Sequence, residues 1–151
     1  MTVLHASFTI ERTLAKHSVD RVFEAFKNPE KRRRWFVEGE GFTIHDYTLD
    51  FRVGAREGGS FSFGDGPTVT NDTYYLDIVE PQRLVFAYAM TVGGKPLSSS
   101  LTTIQFEKHG AGTKLTYTEQ GAFIDGTPDD VKNREAGTGE LLGALEKELN
   151  R

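Results

Sequence analysis

The sequence predicts an α+β fold in which a curved antiparallel sheet of about seven strands wraps around a long C-terminal helix. Three observations predict it. From Phe42 to Glu119 the chain alternates apolar and polar residues in six runs separated by Gly, Pro and Asp turns, the period of half-buried strands. The last twenty or so residues carry leucines at helical spacing. Ahead of the six runs lie one further strand pattern and two short helix patterns. An antiparallel sheet with one half-buried face needs a cover. The terminal helix is the available element, and the space between the two is the expected place for a ligand.

Each element has its own warrant. Phe8, Ile10, Arg12 and Leu14 share one face of a first strand, Ser7 to Leu14, with Arg12 interrupting the apolar row. Ser18 is a natural N-cap for a helix bearing Val19, Val22, Phe23 and Phe26 on one side, and Asn28-Pro29 ends it. A second helix, Glu30 to Phe36, turns Lys31, Arg32, Arg33 and Arg34 outward as a solvated face and closes on Trp35-Phe36. The next strand pattern runs from Thr43 to Val53, with Tyr47, Leu49, Phe51 and Val53 on its apolar face. Gly54, Gly58 and Gly59 then read as a turn.

Phe61 and Phe63 continue on a short strand, Gly64 to Pro67 turns again, and Tyr74, Leu76 and Ile78 form the inward face of the following strand. Leu84, Phe86, Tyr88 and Met90 alternate after the Glu80-Pro81-Gln82 turn. Gly93-Gly94 closes a hairpin into Thr102, Ile104 and Phe106, and the last strand offers Leu115, Tyr117 and Glu119. A loop after Gly121 leads to Thr127-Pro128, where proline suits the first helical position. Thr138, Leu141, Leu142, Leu145 and Leu149 make the buried stripe, with Glu140, Lys147, Glu148 and Asn150 toward water.

Composition narrows the function classes. A length of 151 residues fits one domain, 1–151, with a sizeable core. Eleven Phe, five Tyr and one Trp make the apolar content ring-rich, and rings can line a pocket as well as fill a core. A net charge of -4 argues against nucleic acid as a partner. The absence of Cys excludes disulfides, thiolate metal sites and thiol nucleophiles. No apolar run approaches a membrane span, and no leader pattern stands at Met1 to Phe8, so a cytoplasmic protein is expected.

Chemistry-bearing motifs are few. His5, His17, His45 and His109 are scattered, without the spacing that puts two imidazoles on one metal, so no metal and no cofactor is expected. No Ser sits in a G-x-S-x-G elbow, and the glycine clusters lack a phosphate-loop spacing. Arg12 and Glu119 stand out because each shares the parity of an apolar strand face, and burying either charge alone costs several kcal/mol. They pair with each other, sit at the sheet rim, or face a wet cavity. The candidate cavity walls are Trp35, Tyr47, Phe51, Phe63, Tyr74, Phe86, Tyr88, Tyr117 and Leu142, with Glu119 as the acidic candidate. Phenols at Tyr47, Tyr88 and Tyr117 could hydrogen-bond a ligand while their rings pack.

The ordered set of motifs resembles the SRPBCC or START-like helix-grip superfamily, in the branch of heat-shock protein 90 ATPase activator homologues. The resemblance rests on Phe8 to Leu14 leading into Val22-Phe23, on Pro29 to Phe36, on Asp50 to Gly54 with Gly58 to Phe63, and on Ile78 to Phe86. The strand start Gly112 to Thr116 and the leucine-rich terminal helix complete it. It covers nearly the whole chain and implies a helix-grip fold with a cavity. Members of the branch often carry Gly-Trp where this chain has Gly137-Thr138, which implies a more open or differently filled wall here. The chaperone activators resembled carry a further N-terminal domain for which this length leaves no room, so a heat-shock chaperone is disfavoured as a partner.

The leading expectation is a protein that binds an apolar or aromatic small molecule. Burying roughly 300 Å² of apolar ligand surface gives about 7 kcal/mol gross at 25 cal/mol per Å², and lost ligand freedom takes back about 4 kcal/mol or more. Polar anchors are therefore required for tight binding. Two alternatives are a cavity enzyme using Glu119 with Tyr88 or His45 as acid and base, and a stress-related or chaperone-associated interaction module, for which a homodimer through an exposed apolar sheet or helix surface is one form.

Overall fold

The computed structural model describes residues 2–151. Seven strands form one antiparallel sheet: β1 (Val3–Leu14), β2 (Phe42–Leu49), β3 (Arg56–Phe63), β4 (Val69–Val79), β5 (Arg83–Val92), β6 (Lys95–His109) and β7 (Gly112–Ile124). Their spatial order, β1-β7-β6-β5-β4-β3-β2, is a meander from β2 to β7 with the first strand added beside the last. Three helices, α1 (Val19–Lys27), α2 (Pro29–Phe36) and α3 (Pro128–Leu149), complete the chain. The α+β fold is the one expected, and α3 lies across the concave side, where Leu142, Leu145 and Leu149 are buried with strand residues Ile104 and Leu115.

Local chemistry explains the helix ends. Ser18 Oγ accepts from Arg21 N, starting α1. Asn28 ends α1 and caps α2, its Oδ1 accepting from the amides of Glu30 at 3.0 Å and Lys31 at 3.2 Å, which satisfies donors that a helix start otherwise leaves bare. Thr127 N donates to Asp130 Oδ2 at 2.7 Å at the start of α3. The two short helices seal one end of the sheet through rings packed edge to face: Phe26 lies 4.9 Å from Trp35 and 5.3 Å from Phe106 between centroids. Trp35 Nε1 donates to the Ala25 carbonyl at 2.7 Å, so the buried indole is satisfied.

The structure corrects several expectations, each for a physical reason. The final strand does not stop at Gly121. It continues to Ile124, because pairing with β1 (Val3 to Ile124) and with β6 (Ser98 to Phe123) carries the ladder onward and buries Phe123. The second strand stops at Leu49, not Val53, and Val53 is exposed. Gly54, at φ 85°, belongs to the connecting turn, whereas Gly58 and Gly59 lie inside β3. A side chain at Gly59 would collide with the Asp46 carbonyl beside the β2 irregularity between Ile44 and Asp46.

A bulge between Tyr75 and Asp77 reverses the parity of β4. Thr73 and Tyr75 face inward, and Tyr74 and Leu76 are 47% and 52% exposed on the opposite face. With Leu101 they leave an apolar patch on the sheet's outer side. The outward basic face of α2 is also only partly right. Arg32 is buried against Glu57. Arg34 reaches Glu148, whose side chain is 7% exposed instead of facing water. No helix among the described residues is long and apolar enough to cross a membrane.

Candidate functional site

A chamber of about 340 Å³ lies between the sheet and α3. Its floor is Phe86, Tyr88, Ile104 and Tyr117, and its roof is Thr138 and Leu142. A second compartment, about 480 Å³, adjoins it toward Phe61, Phe63 and Val69. Trp35, Phe36, Phe42, Asn71, Met90, Gly137 and Leu141 line both, so the two are continuous. The sizes fall in the range of small-molecule sites. Gly137 is exposed at the rim shared by the two compartments, and an added Cβ there would meet nothing within 4 Å.

Two buried ion pairs stand beside the inner chamber. On α3, Arg134 Nη1 donates to Glu119 Oε2 at 2.8 Å and to the Tyr88 hydroxyl at 2.9 Å, and Nη2 donates to Ser98 Oγ at 2.6 Å. Ser100 Oγ donates to the same carboxylate oxygen at 2.7 Å. Glu119 Oε1 and the cross-strand Thr102 Oγ1 are buried without a protein partner. At the other pair, Arg32 grips Glu57 through Nε and Nη2 at 2.7 and 2.9 Å, and the hydroxyls of Tyr47 and Tyr75 donate to the two Glu57 oxygens. The Arg32 guanidinium stands 3.7 Å from the Phe36 ring centroid.

Burial sets the charge states. Desolvation, then the Glu119 carboxylate, pushes the phenols of Tyr88 and Tyr117 far above their ordinary range. Tyr47 and Tyr75 are raised in the same way by burial and by Glu57. Burial alone would lower the Arg32 pKa, but the charge and hydrogen bonds of Glu57 override it and raise it. The chamber is therefore bordered by neutral phenols and by arginines already paired with carboxylates.

The expected wall residues divide. Trp35, Phe86, Tyr88, Tyr117 and Leu142 line the inner chamber, and Trp35 and Phe63 line the outer one. Phe51 packs on Phe23 and Tyr75 outside both compartments. Tyr47 is committed to Glu57. Tyr74 points away because of the β4 bulge. Glu119 is not on the wall, because Arg134 takes its place there. Arg12 does not pair with Glu119; its Nη2 donates to the Gly139 carbonyl at 2.9 Å. His45 is exposed with Nε2 2.7 Å from Ser62 Oγ and lines neither compartment, so it forms no acid/base pair with Glu119.

Sequence reasoning missed Arg134, Arg32 and the inward serines. A signal existed for the first. Arg134 precedes Thr138, Leu142, Leu145 and Leu149 on the same helical stripe, and a cation in an apolar stripe is the natural partner of a buried Glu119. Ser98 and Ser100 share the parity of Thr102, Ile104 and Phe106, so they too could have been placed inside. Among the described residues no group of His, Asp and Glu is arranged to hold a metal ion.

A curved seven-stranded antiparallel sheet wrapped around a long C-terminal helix defines the helix-grip class. The chain belongs to the family of Activator of Hsp90 ATPase homolog 1-like proteins, whose model matches residues 16–150. It is similar to the crystal structure of Mll3558 from Rhizobium loti, with 51% identity, a TM-score of 0.89, and 98% of this chain and 99% of that one covered. A protein of known structure from Rhizobium leguminosarum is 41% identical with a TM-score of 0.93, covering 99% and 97% of the two chains. An AHSA1-like protein from Aeromonas hydrophila shares the fold at 20% identity, with a TM-score of 0.72 and 96% and 92% covered. No curated protein matches the chain.

Proposed function

We propose that the protein binds an apolar or aromatic small molecule in the two-compartment cavity. The observation that carries this reading is the continuity of the compartments through a ring-rich waist at Trp35, Phe36 and Phe42. Membership of a family built on this fold is compatible with it. Rings and aliphatic side chains supply the transfer free energy, and a few buried polar groups fix orientation. Binding is favoured over acid/base catalysis because Glu57 and Glu119 are each neutralised by an arginine and the nearby phenols are held protonated.

The reading is tested by native mass spectrometry of freshly purified protein, followed by denaturation to release any bound molecule, together with a thermal-shift screen of lipid and aromatic compounds. The expected result is a co-purified small molecule or a class of compounds that raises Tm. An empty protein with no shift across the library contradicts the reading.

A further inference from the structure

We infer that the cavity selects a ligand whose polar end is a neutral hydrogen-bond acceptor, a ketone- or quinone-type carbonyl on a ring system. This rests on the cavity reading above and adds the chemistry of the polar end. Three side chains on the inner wall, Arg134, Arg32 and Asn71, carry donors left over after their protein contacts. Arg134 uses Nη1 on Glu119 and Tyr88 and one Nη2 hydrogen on Ser98, which leaves Nε and the second Nη2 hydrogen without a protein acceptor among the described residues. Arg32 uses Nε and Nη2 on Glu57, which leaves Nη1. Asn71 Oδ1 accepts from Thr73 Oγ1 at 3.1 Å, so the amide nitrogen remains to be matched. All three residues line the inner chamber.

Guanidinium groups donate and never accept. A ligand carrying an ammonium or only donor groups would leave these hydrogens unmatched and add a like charge beside two arginines. A carboxylate meets the opposite difficulty. Glu57 and Glu119, with side chains 2% and 1% exposed, already neutralise the two arginines, so a third buried carboxylate would have no cation left to compensate it. A neutral carbonyl matches the free donors and leaves the charge balance intact. The rings of Trp35, Phe36 and Phe86 around the same chamber suit a flat skeleton.

The test is calorimetric titration of the full chain with four compounds on one skeleton: methyl naphthyl ketone, ethylnaphthalene, naphthoate and naphthylmethylammonium. The ketone is expected to bind at least about tenfold tighter than its hydrocarbon isostere, in keeping with a hydrogen bond from a charged donor, and tighter than either ion. The same titrations on Arg134→Lys, which keeps the charge opposite Glu119, and on the neutral double variant Arg134→Met/Glu119→Gln are expected to lower the ketone-to-hydrocarbon affinity ratio severalfold, because Arg134 supplies two of the free donors. Equal wild-type affinities for ketone and hydrocarbon overturn the inference and leave the cavity reading standing. Naphthoate or the ammonium binding tightest also overturns it. An unchanged ratio in both variants removes Arg134 as the recognising group, and failure of all four compounds to bind overturns both readings.

Discussion

Arg134 Nη1 on α3 lies 2.8 Å from Glu119 Oε2 on β7, and this contact ties the helix to the sheet at the wall of the chamber. The carboxylate side chain is 1% exposed and the guanidinium 13%, so the pair sits where neither charge is tolerated alone. It supplies both a fastening and a polar feature of the candidate site.

Removing one partner of this pair should therefore cost more than removing both. Arg134→Met is expected to destabilise the fold by about 3–5 kcal/mol, by leaving Glu119 buried without its cation. Adding Glu119→Gln should recover a large part of that loss. Urea unfolding of the two variants checks this, and a double variant as unstable as the single one would show that the charge left behind is not the cause.

The second fastening, Arg34 with Glu148, gives a pH dependence. Hydrogen bonds from Arg34 hold the Glu148 carboxyl below the usual range, helped by the charges of Arg34, Arg151 and Lys31 against a smaller opposing effect of burial. Because the folded pKa is depressed, the contribution is present above the unfolded value of about 4.3 and lost as pH falls through the folded one. Wild-type protein should lose stability more steeply than Glu148→Gln as the pH is lowered from roughly 5. Chemical denaturation at a series of pH values reads the difference, and parallel curves for the two proteins would remove Glu148 as the source.

Gly137 offers a separation of stability from binding. It lies within α3, and a Cβ there meets open space. Gly137→Ala should stabilise the protein by about 0.5–1 kcal/mol through helix propensity. Gly137→Leu should instead occupy the waist and weaken ligand binding while the fold persists. Thermal melts and titration with ethylnaphthalene measure the two effects, and full affinity in Gly137→Leu would mean that the ligand does not pass this wall.

Phe42 and Phe63 face each other at the outer compartment with ring centroids 5.1 Å apart, and they are 51% and 63% exposed. Since both rings are largely solvated, Phe63→Ala should change stability by less than about 1 kcal/mol. Stopped-flow binding should show faster association and dissociation once the ring is gone. Unaltered rates would place the ligand's entry elsewhere.

Much of the sheet was legible because alternation is a direct record of which face is buried. It held for Leu84, Phe86 and Tyr88 on β5 and for Leu115, Tyr117 and Glu119 on β7, all buried. It failed at Tyr74, because a bulge adds a residue and exchanges the faces without any composition signal of its own. The candidate site was legible in its rings and less so in its charges. A run such as Lys31 to Arg34 reads as a solvated face, since sequence does not reveal that Glu57, twenty-five residues beyond Arg32, waits on the facing strand. Glu119 was singled out by parity, yet its role as a support for Arg134 depends on where α3 crosses the sheet.

The most direct test of a ligand cavity between sheet and helix is an amide-resolved NMR titration of the full chain with methyl naphthyl ketone. Shifts are expected to concentrate at Trp35, Phe36, Tyr88, Arg134, Gly137 and Thr138, with the outer-face residues Tyr74, Leu76 and Leu101 unmoved. Shifts confined to that outer face, or no shifts at saturating ligand, would contradict the cavity reading.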